Sequence, residues 1–230
     1  PVAGPASAEK LNRTLRYLAK WRTEMLANTL VAKDGHTVQT GPFKGMIYEG
    51  RPSEGTRTAR LLGCYEASLH PILETIIARA PDLVIDIGSA EGYYAVGMAL
   101  RLANARILAR DANPRAQALC RQLAEVNGVD ARVEIGGLFA HADFDQCKTT
   151  RSVVICDIEG AEDALLDPAA APGLRHTDIL VECHPGMAQG ITARLIDRFS
   201  QSHCITQLGR RLDDTALPAW MDDFSDLDRL

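Results

Sequence analysis

No apolar run in this 230-residue sequence approaches the roughly 18 residues that a membrane-crossing helix needs, so none is expected. Residues 1–7 are small and apolar but hold neither a basic segment nor a hydrophobic one, so no signal peptide is expected. The six cysteines (Cys64, Cys120, Cys147, Cys156, Cys183 and Cys204) form no C-x-x-C pair. Three of them, Cys156, Cys183 and Cys204, sit inside apolar runs. Scattered thiols of this kind are expected to be reduced and buried, which points to a cytoplasmic protein. Positive charge is the scarcer sign. The 25 Lys and Arg against 30 Asp and Glu leave a net charge of −5 and a pI of 5.7, which disfavours a dedicated nucleic-acid binder. No internal repeat is present. What remains is a chain with 46% hydrophobic residues. That is enough to bury the core of one α/β domain with an added N-terminal element.

Residues 8–31 place Leu11, Leu15, Leu18, Met25 and Leu26 at helical spacing, with a basic face of Lys10, Arg13, Arg16, Lys20 and Arg22. This helix reads as a cap on the domain or a homodimer contact; the alternative is an RNA- or anion-binding arm. Residues 36–62 are broken by Gly41, Pro42, Gly45, Gly50, Pro52 and Gly55, as in loops that cover active sites. Residues 59–79 are expected to be helical, with Pro71 in the first turn of a second helix over 72–80. Strands are expected at 83–87, 106–109, 132–135, 152–158, 178–183 and 203–208, and helices at 93–103, 114–127 and 191–200. That alternation predicts a doubly wound, mostly parallel α/β sheet. It divides the chain into an N-terminal helical and loop extension (1–80) and a catalytic domain (81–230). The acidic C-terminal stretch, with Asp213, Asp214, Asp222, Asp223, Asp226 and Asp228, lacks the glycine and glutamate spacing of a calcium loop and reads as solvated.

The organising stretch is DLVIDIGSAEGYY at residues 82–94. An apolar strand runs into a turn flanked by Gly88 and Gly92, and a helix begins there with its free N–H groups facing the turn. A dinucleotide-binding turn needs G-x-G-x-x-G. Here the middle glycine is replaced by Ala90 and the third comes one residue early, a spacing that suits a turn with no pyrophosphate to cradle. A second acidic residue, Asp111, closes the next strand, where its carboxylate can accept both hydroxyls of a ribose. The other reading of Asp111 is a helix-start acid favoured by the dipole.

The turn, together with DANP at 111–114, resembles the class I S-adenosylmethionine-dependent methyltransferases. DIEGAE at 157–162 and VECH at 181–184 resemble their FkbM-like subset, as do GPFKGM at 41–46 and LLGCYE at 61–66. The resemblance covers roughly residues 81–190. It implies a Rossmann-like methyltransferase fold with S-adenosylmethionine as cofactor. By the same resemblance Asp86, Gly88, Ser89 and Gly92 surround the methionine part, with Asp86 toward the amino group. Asp111 holds the ribose, Gly137 and Leu138 lie near the adenine, and Asp157 faces the reactive methyl. The sequence departs from that family at its C-terminal end, where a closing hairpin is expected and only residues 227–230 offer the start of a seventh strand.

In open α/β sheets, ligands sit beyond the carboxyl ends of the strands. The fourth strand is expected to end with Asp157 and Glu159, the fifth with Glu182 and His184. Residues two apart on an extended strand share a face, so each pair can converge. Three roles stay open. His184 or Asp157 is a general base; or Asp157, Glu159, Glu182 and His184 bind a divalent ion; or the group is structural, with Glu159 or Glu162 capping the next helix and Glu182 orienting His184 or pairing with an arginine. Upstream, Tyr65, Glu66 and His70 either close over the cofactor's amino-acid end or form a surface turn. Tyr93 and Tyr94 open the helix after the turn, and Arg110 is expected to form a salt bridge. The activity implied is O-methylation of a small hydroxylated metabolite. The rivals are an RNA or protein methyltransferase that uses the basic helix, and a non-catalytic cofactor-binding partner.

Overall fold

The computed structural model describes residues 7–50, 52 and 56–209. The acidic stretch from Asp213 to Asp228 and the expected strand start at 227–230 lie outside them. The chain divides into two compact units, one ending at Tyr65 and one beginning at Glu66.

In the first unit, α1 (Ala8–Asp34) starts at Ser7, whose side chain accepts the Lys10 N–H, and ends at Gly35. Only Ala27 and Leu30 of this helix are buried; Leu11, Leu15, Leu18 and Met25 are exposed. Thr37 and Ile47 form an isolated antiparallel bridge, and α2 (Arg57–Leu62) follows. The expected helix over 59–79 is broken here. Gly63 takes a left-handed conformation, and a Cβ there would collide with the Thr40 backbone.

The second unit is a five-stranded, all-parallel sheet in the order β3-β2-β1-β4-β5. Its strands are β1 (Leu83–Ile87), β2 (Arg106–Arg110), β3 (Val133–Gly136), β4 (Ser152–Cys156) and β5 (Asp178–Val181). β1 and β4 are buried along their whole length, the burial that continuous apolar runs predict for central parallel strands. Around the sheet lie α3 (His70–Arg79), α4 (Tyr93–Arg101), α5 (Pro114–Val126), α6 (Glu162–Leu165) and α7 (Ile191–Phe199). Leu83, Ile85 and Ile87 face a core that includes Phe144, Leu174, Ile191, Leu195 and Phe199. α4 packs against β1 and β2, and α5 against β3. Asn113 caps α5 by accepting the Arg115 N–H, with Pro114 in the first turn. The predicted α/β, doubly wound parallel architecture is therefore present.

Several boundaries differ from expectation. β4 and β5 stop at Cys156 and Val181, so Asp157, Glu159, Glu182 and His184 stand on loops rather than on extended strand. Residues 203–208 form no strand, and from Cys204 to Gly209 the backbone is irregular and exposed. Among the described residues no strand pairs with this stretch, and a strand's backbone groups need a neighbour. Cys204 is accordingly exposed and Cys183 half-buried, while Cys120, Cys147 and Cys156 are buried; none of the six forms a disulfide. No described helix is long and apolar enough to cross a membrane.

Candidate active site

β1 pairs with β2 on one side and β4 on the other, so the chain direction of the winding reverses beside it. Loops after neighbouring strands diverge at such a point and leave a crevice. The Gly-rich turn fills one wall. The Gly88 and Ser89 N–H groups both donate to the Arg110 carbonyl, at 2.8 and 3.0 Å, and the Asp157 N–H donates to the Ile87 carbonyl at 2.9 Å. Gly88 has φ +82°, and a Cβ there would collide with the Asp157 carbonyl oxygen. The turn thus lies directly against the first residue after β4. Gly92 serves packing: its φ is +91°, and a Cβ there would press on the Cys120 sulfur of α5.

Asp86 is buried, and its Oδ2 has no hydrogen-bond partner. Burial, with help from Asp157, Asp111 and Glu91, pushes its carboxyl up to about 7, while the Ala95 N–H at the start of α4 opposes the shift. A buried carboxylate with an unpartnered oxygen is suited to a cationic ligand group. Asp111 is more engaged than expected. Its Oδ2 accepts the Ala90 N–H at 2.9 Å and its Oδ1 accepts the Asn113 N–H at 2.7 Å. It ties the turn to the end of β2, and each oxygen retains a lone pair for a hydroxyl. Gly137 and Leu138 line a cavity of about 470 Å³ with Arg110, Glu134 and Phe139, and Leu138 is exposed. Arg110 forms the expected ion pair, with Glu134 at 2.5 Å.

Glu66 accepts a hydrogen bond from the Tyr94 hydroxyl and so stands at the start of α4. Tyr93 is buried. Tyr65 belongs to the first unit, where the Arg60 guanidinium lies 4.0 Å over its ring. Glu66, Ala90 and Glu159 hold left-handed backbone without being glycine, at φ +49°, +48° and +55°. Two of them sit in the loops after β1 and β4. Such positions cost roughly 1–3 kcal/mol each and persist where the surroundings over-determine them.

On the loops after β4 and β5, the side chains of Asp157, Glu159, Glu182 and His184 converge. His184 Nε2 lies 3.6 Å from Asp157 Oδ1, 3.5 Å from Glu159 Oε2 and 4.0 Å from Glu182 Oε1. One atom each from Asp157, Glu182 and His184 fall within 4.8 Å of one another. The other ring nitrogen, Nδ1, meets Glu162 Oε1 at 2.9 Å. This corrects the expected orienting role of Glu182: the carboxylate that holds the imidazole is Glu162. Glu162 is fully buried, and the same oxygen accepts the N–H groups of Ile158 (3.3 Å) and Gly160 (3.0 Å). Burial raises its carboxyl, but these backbone bonds and His184 outweigh that and leave it lowered. The motif DIEGAE thus uses its last residue as a bracket between the β4 loop and the β5 loop. The capping expectation for Glu162 hinted at this bracket, but nothing in the spacing linked it to His184.

Asp157 is pushed up to about 7 by burial first, then by Glu182, Glu159 and Glu66, with His184 opposing. Burial lowers the His184 imidazole, but Glu162, Asp157 and Glu159 outweigh it and leave it raised. The group can therefore hold or release a proton near neutrality, or bind a cation that relieves the crowding of negative charge.

No family model matches the chain, and no curated protein matches it. Among solved structures, a provisionally assigned O-methyltransferase from Klebsiella pneumoniae is similar at 17% identity with a TM-score of 0.41; the match covers 57% of this chain and 58% of that one. The chain thus spans less than two thirds of that protein. A precorrin-6y C5,15-methyltransferase from Geobacter metallireducens GS-15 is similar at 14% identity and TM-score 0.42, over 58% and 71% of the two chains. An O-methyltransferase from Bacillus cereus, solved with S-adenosylhomocysteine, is similar at 13% identity and TM-score 0.40, over 78% and 68%.

Proposed function

We propose that this chain is an S-adenosylmethionine-dependent methyltransferase that acts on a hydroxyl of a small metabolite. The observation that carries the reading is the set of groups gathered beyond the carboxyl ends of β1 and β4. There, a glycine turn with no room for a Cβ, a buried carboxylate with an unpartnered oxygen and a carboxylate–imidazole group lie on β1 and on the loops after β1, β4 and β5. The residues fit the cofactor's parts. Asp86 matches its ammonium, the lone pairs left on Asp111 match the ribose, and Gly137 with Leu138 bounds a cavity for the adenine. Glu66, held by Tyr94, is proposed to face the amino-acid end; Ser89 and Gly92 complete the turn, and His70 is proposed as a cover.

The bound sulfonium supplies an electrophilic methyl for in-line displacement by oxygen. The chain's own task is alignment and removal of the hydroxyl proton. That proton leaves through the group of Asp157, Glu182 and His184, either to one of these side chains or with the help of a cation held among them. The exposed apolar stripe on α1 is proposed as the contact for a second copy of the chain.

Calorimetry with S-adenosylhomocysteine tests the reading. Saturable binding is expected, and Asp111→Ala should weaken it at least tenfold. A chain that shows no binding at millimolar ligand overturns the proposal. Transfer of labelled methyl to hydroxylated compounds, lost in His184→Ala with cofactor binding kept, separates an enzyme from a silent cofactor-binding partner. Uptake of label by RNA instead, with binding that falls steeply with salt and depends on Arg13, Arg16 and Lys20, would favour the nucleic-acid rival.

A further inference from the structure

Three carboxylate oxygens, from Asp157, Glu159 and Glu182, fan around His184 Nε2 at 3.5–4.0 Å. These separations exceed those of N–H···O hydrogen bonds, which cluster near 2.9–3.0 Å. Nε2 therefore faces acceptors on several sides without bonding to them. Asp157 Oδ1 is itself buried and without a hydrogen-bond partner. The imidazole closes on one carboxylate only, Glu162, which holds Nδ1 from behind at 2.9 Å and leaves Nε2 facing the other three. A buried carboxylate on one ring nitrogen fixes the tautomer and turns the other nitrogen outward, which is the arrangement seen behind metal-bound histidines. Donors about 2.1 Å from one ion lie roughly 3–4 Å from each other. His184 Nε2 lies 3.6 Å from Asp157 Oδ1 and 4.0 Å from Glu182 Oε1, and one donor atom from each of the three residues falls within 4.8 Å of the others.

We infer that Asp157, Glu182 and His184 bind one divalent transition-metal ion, with Glu162 as the positioning residue that keeps His184 Nε2 turned toward it. Two carboxylates favour a hard cation, and the imidazole selects a first-row transition ion over magnesium or calcium. Glu159 stands near enough to add a fourth oxygen. With three protein donors the ion keeps open positions, and an oxygen of the substrate fits there. A hydroxyl so held is more acidic and passes its proton to water, and His184 then serves as a ligand in place of a base. This role in proton removal rests on the methyltransferase reading; the binding of the ion does not, and it is measured without turnover.

The probe is Mn²⁺ alone, titrated into the full chain and followed by the loss of the free-ion paramagnetic resonance signal. One saturable site per chain is expected. Glu182→Gln and His184→Ala should each weaken it at least tenfold, and Glu162→Gln by roughly 10–100-fold. Glu125→Gln, on the exposed face of α5, should leave it unchanged. Glu182 is half-exposed, so its variant removes a ligand without disturbing the core, and circular dichroism verifies that each variant is folded. Absence of saturable binding up to millimolar Mn²⁺ overturns the inference. So does binding that survives both Glu182→Gln and His184→Ala. If Mn²⁺ binding is absent while S-adenosylhomocysteine binds normally, the metal site falls and the methyltransferase reading stands.

Discussion

Replacing Asp86 with Asn tests the cost of keeping a carboxylate in the β1 strand. In the folded chain this carboxyl is raised from 3.8 to about 7, chiefly by burial. Its ionised form is therefore disfavoured in the native state relative to the unfolded one. Below about pH 4 both states hold the proton and nothing is lost. Between pH 4 and 7 the unfolded chain ionises first, so stability falls by about 1.4 kcal/mol per pH unit. Above pH 7 the accumulated cost is on the order of 4 kcal/mol. Asp86→Asn removes the titration at nearly constant shape. At pH 8 the variant should melt higher than the wild type by on the order of 10 °C, and the gap should shrink steadily toward pH 4.5. Melting curves by circular dichroism at four or five pH values measure both. The same variant should lose most of its affinity for S-adenosylhomocysteine, because the ammonium partner is gone. A gap that is absent at pH 8, or that widens in acid, refutes the reasoning: Asp86 would then be stabilised by a partner, not strained by burial.

Gly88→Ala should destabilise the second unit by more than about 3 kcal/mol, since a left-handed backbone and a collision with the Asp157 carbonyl both oppose the methyl group; an unchanged urea midpoint would contradict the close packing of turn and β4 loop. Phe144→Ala, in the core against α7 and β1, should cost about 3–5 kcal/mol in chemical denaturation. Glu159→Gly should relieve the left-handed strain at φ +55° and raise stability by on the order of 1 kcal/mol; a lower midpoint would mean that the Glu159 side chain contributes more than its backbone costs.

Much of this fold was legible because its signals are local. The apolar runs at 83–87 and 152–156, the Gly88 and Gly92 turn, and the Asn113-Pro114 helix start each report on their own backbone through hydrophobic period, dihedral freedom and capping. That Asp157, Glu159, Glu182 and His184 follow the fourth and fifth strands was legible for the same reason. Residues 203–208 were not. They have the composition of a strand, but a strand exists only where a neighbour offers backbone partners, and among the described residues Cys204–Gly209 has none. Asp111 was read for its ligand, yet its oxygens first meet the Ala90 and Asn113 N–H groups that the turn brings to it.

By itself the sequence determined the α/β class, the turn after β1 and the set of residues at the mouth, because periodicity, glycine and carboxylate placement act over a few residues. Tertiary structure alone decided which of those residues touch. The order β3-β2-β1-β4-β5 sets the β4 and β5 loops side by side. Only that neighbourhood brings Glu162, 22 residues away in the chain, to His184 Nδ1 and aims Nε2 at three carboxylates. Contacts across that distance depend on how strands are ordered, and no local spacing encodes it.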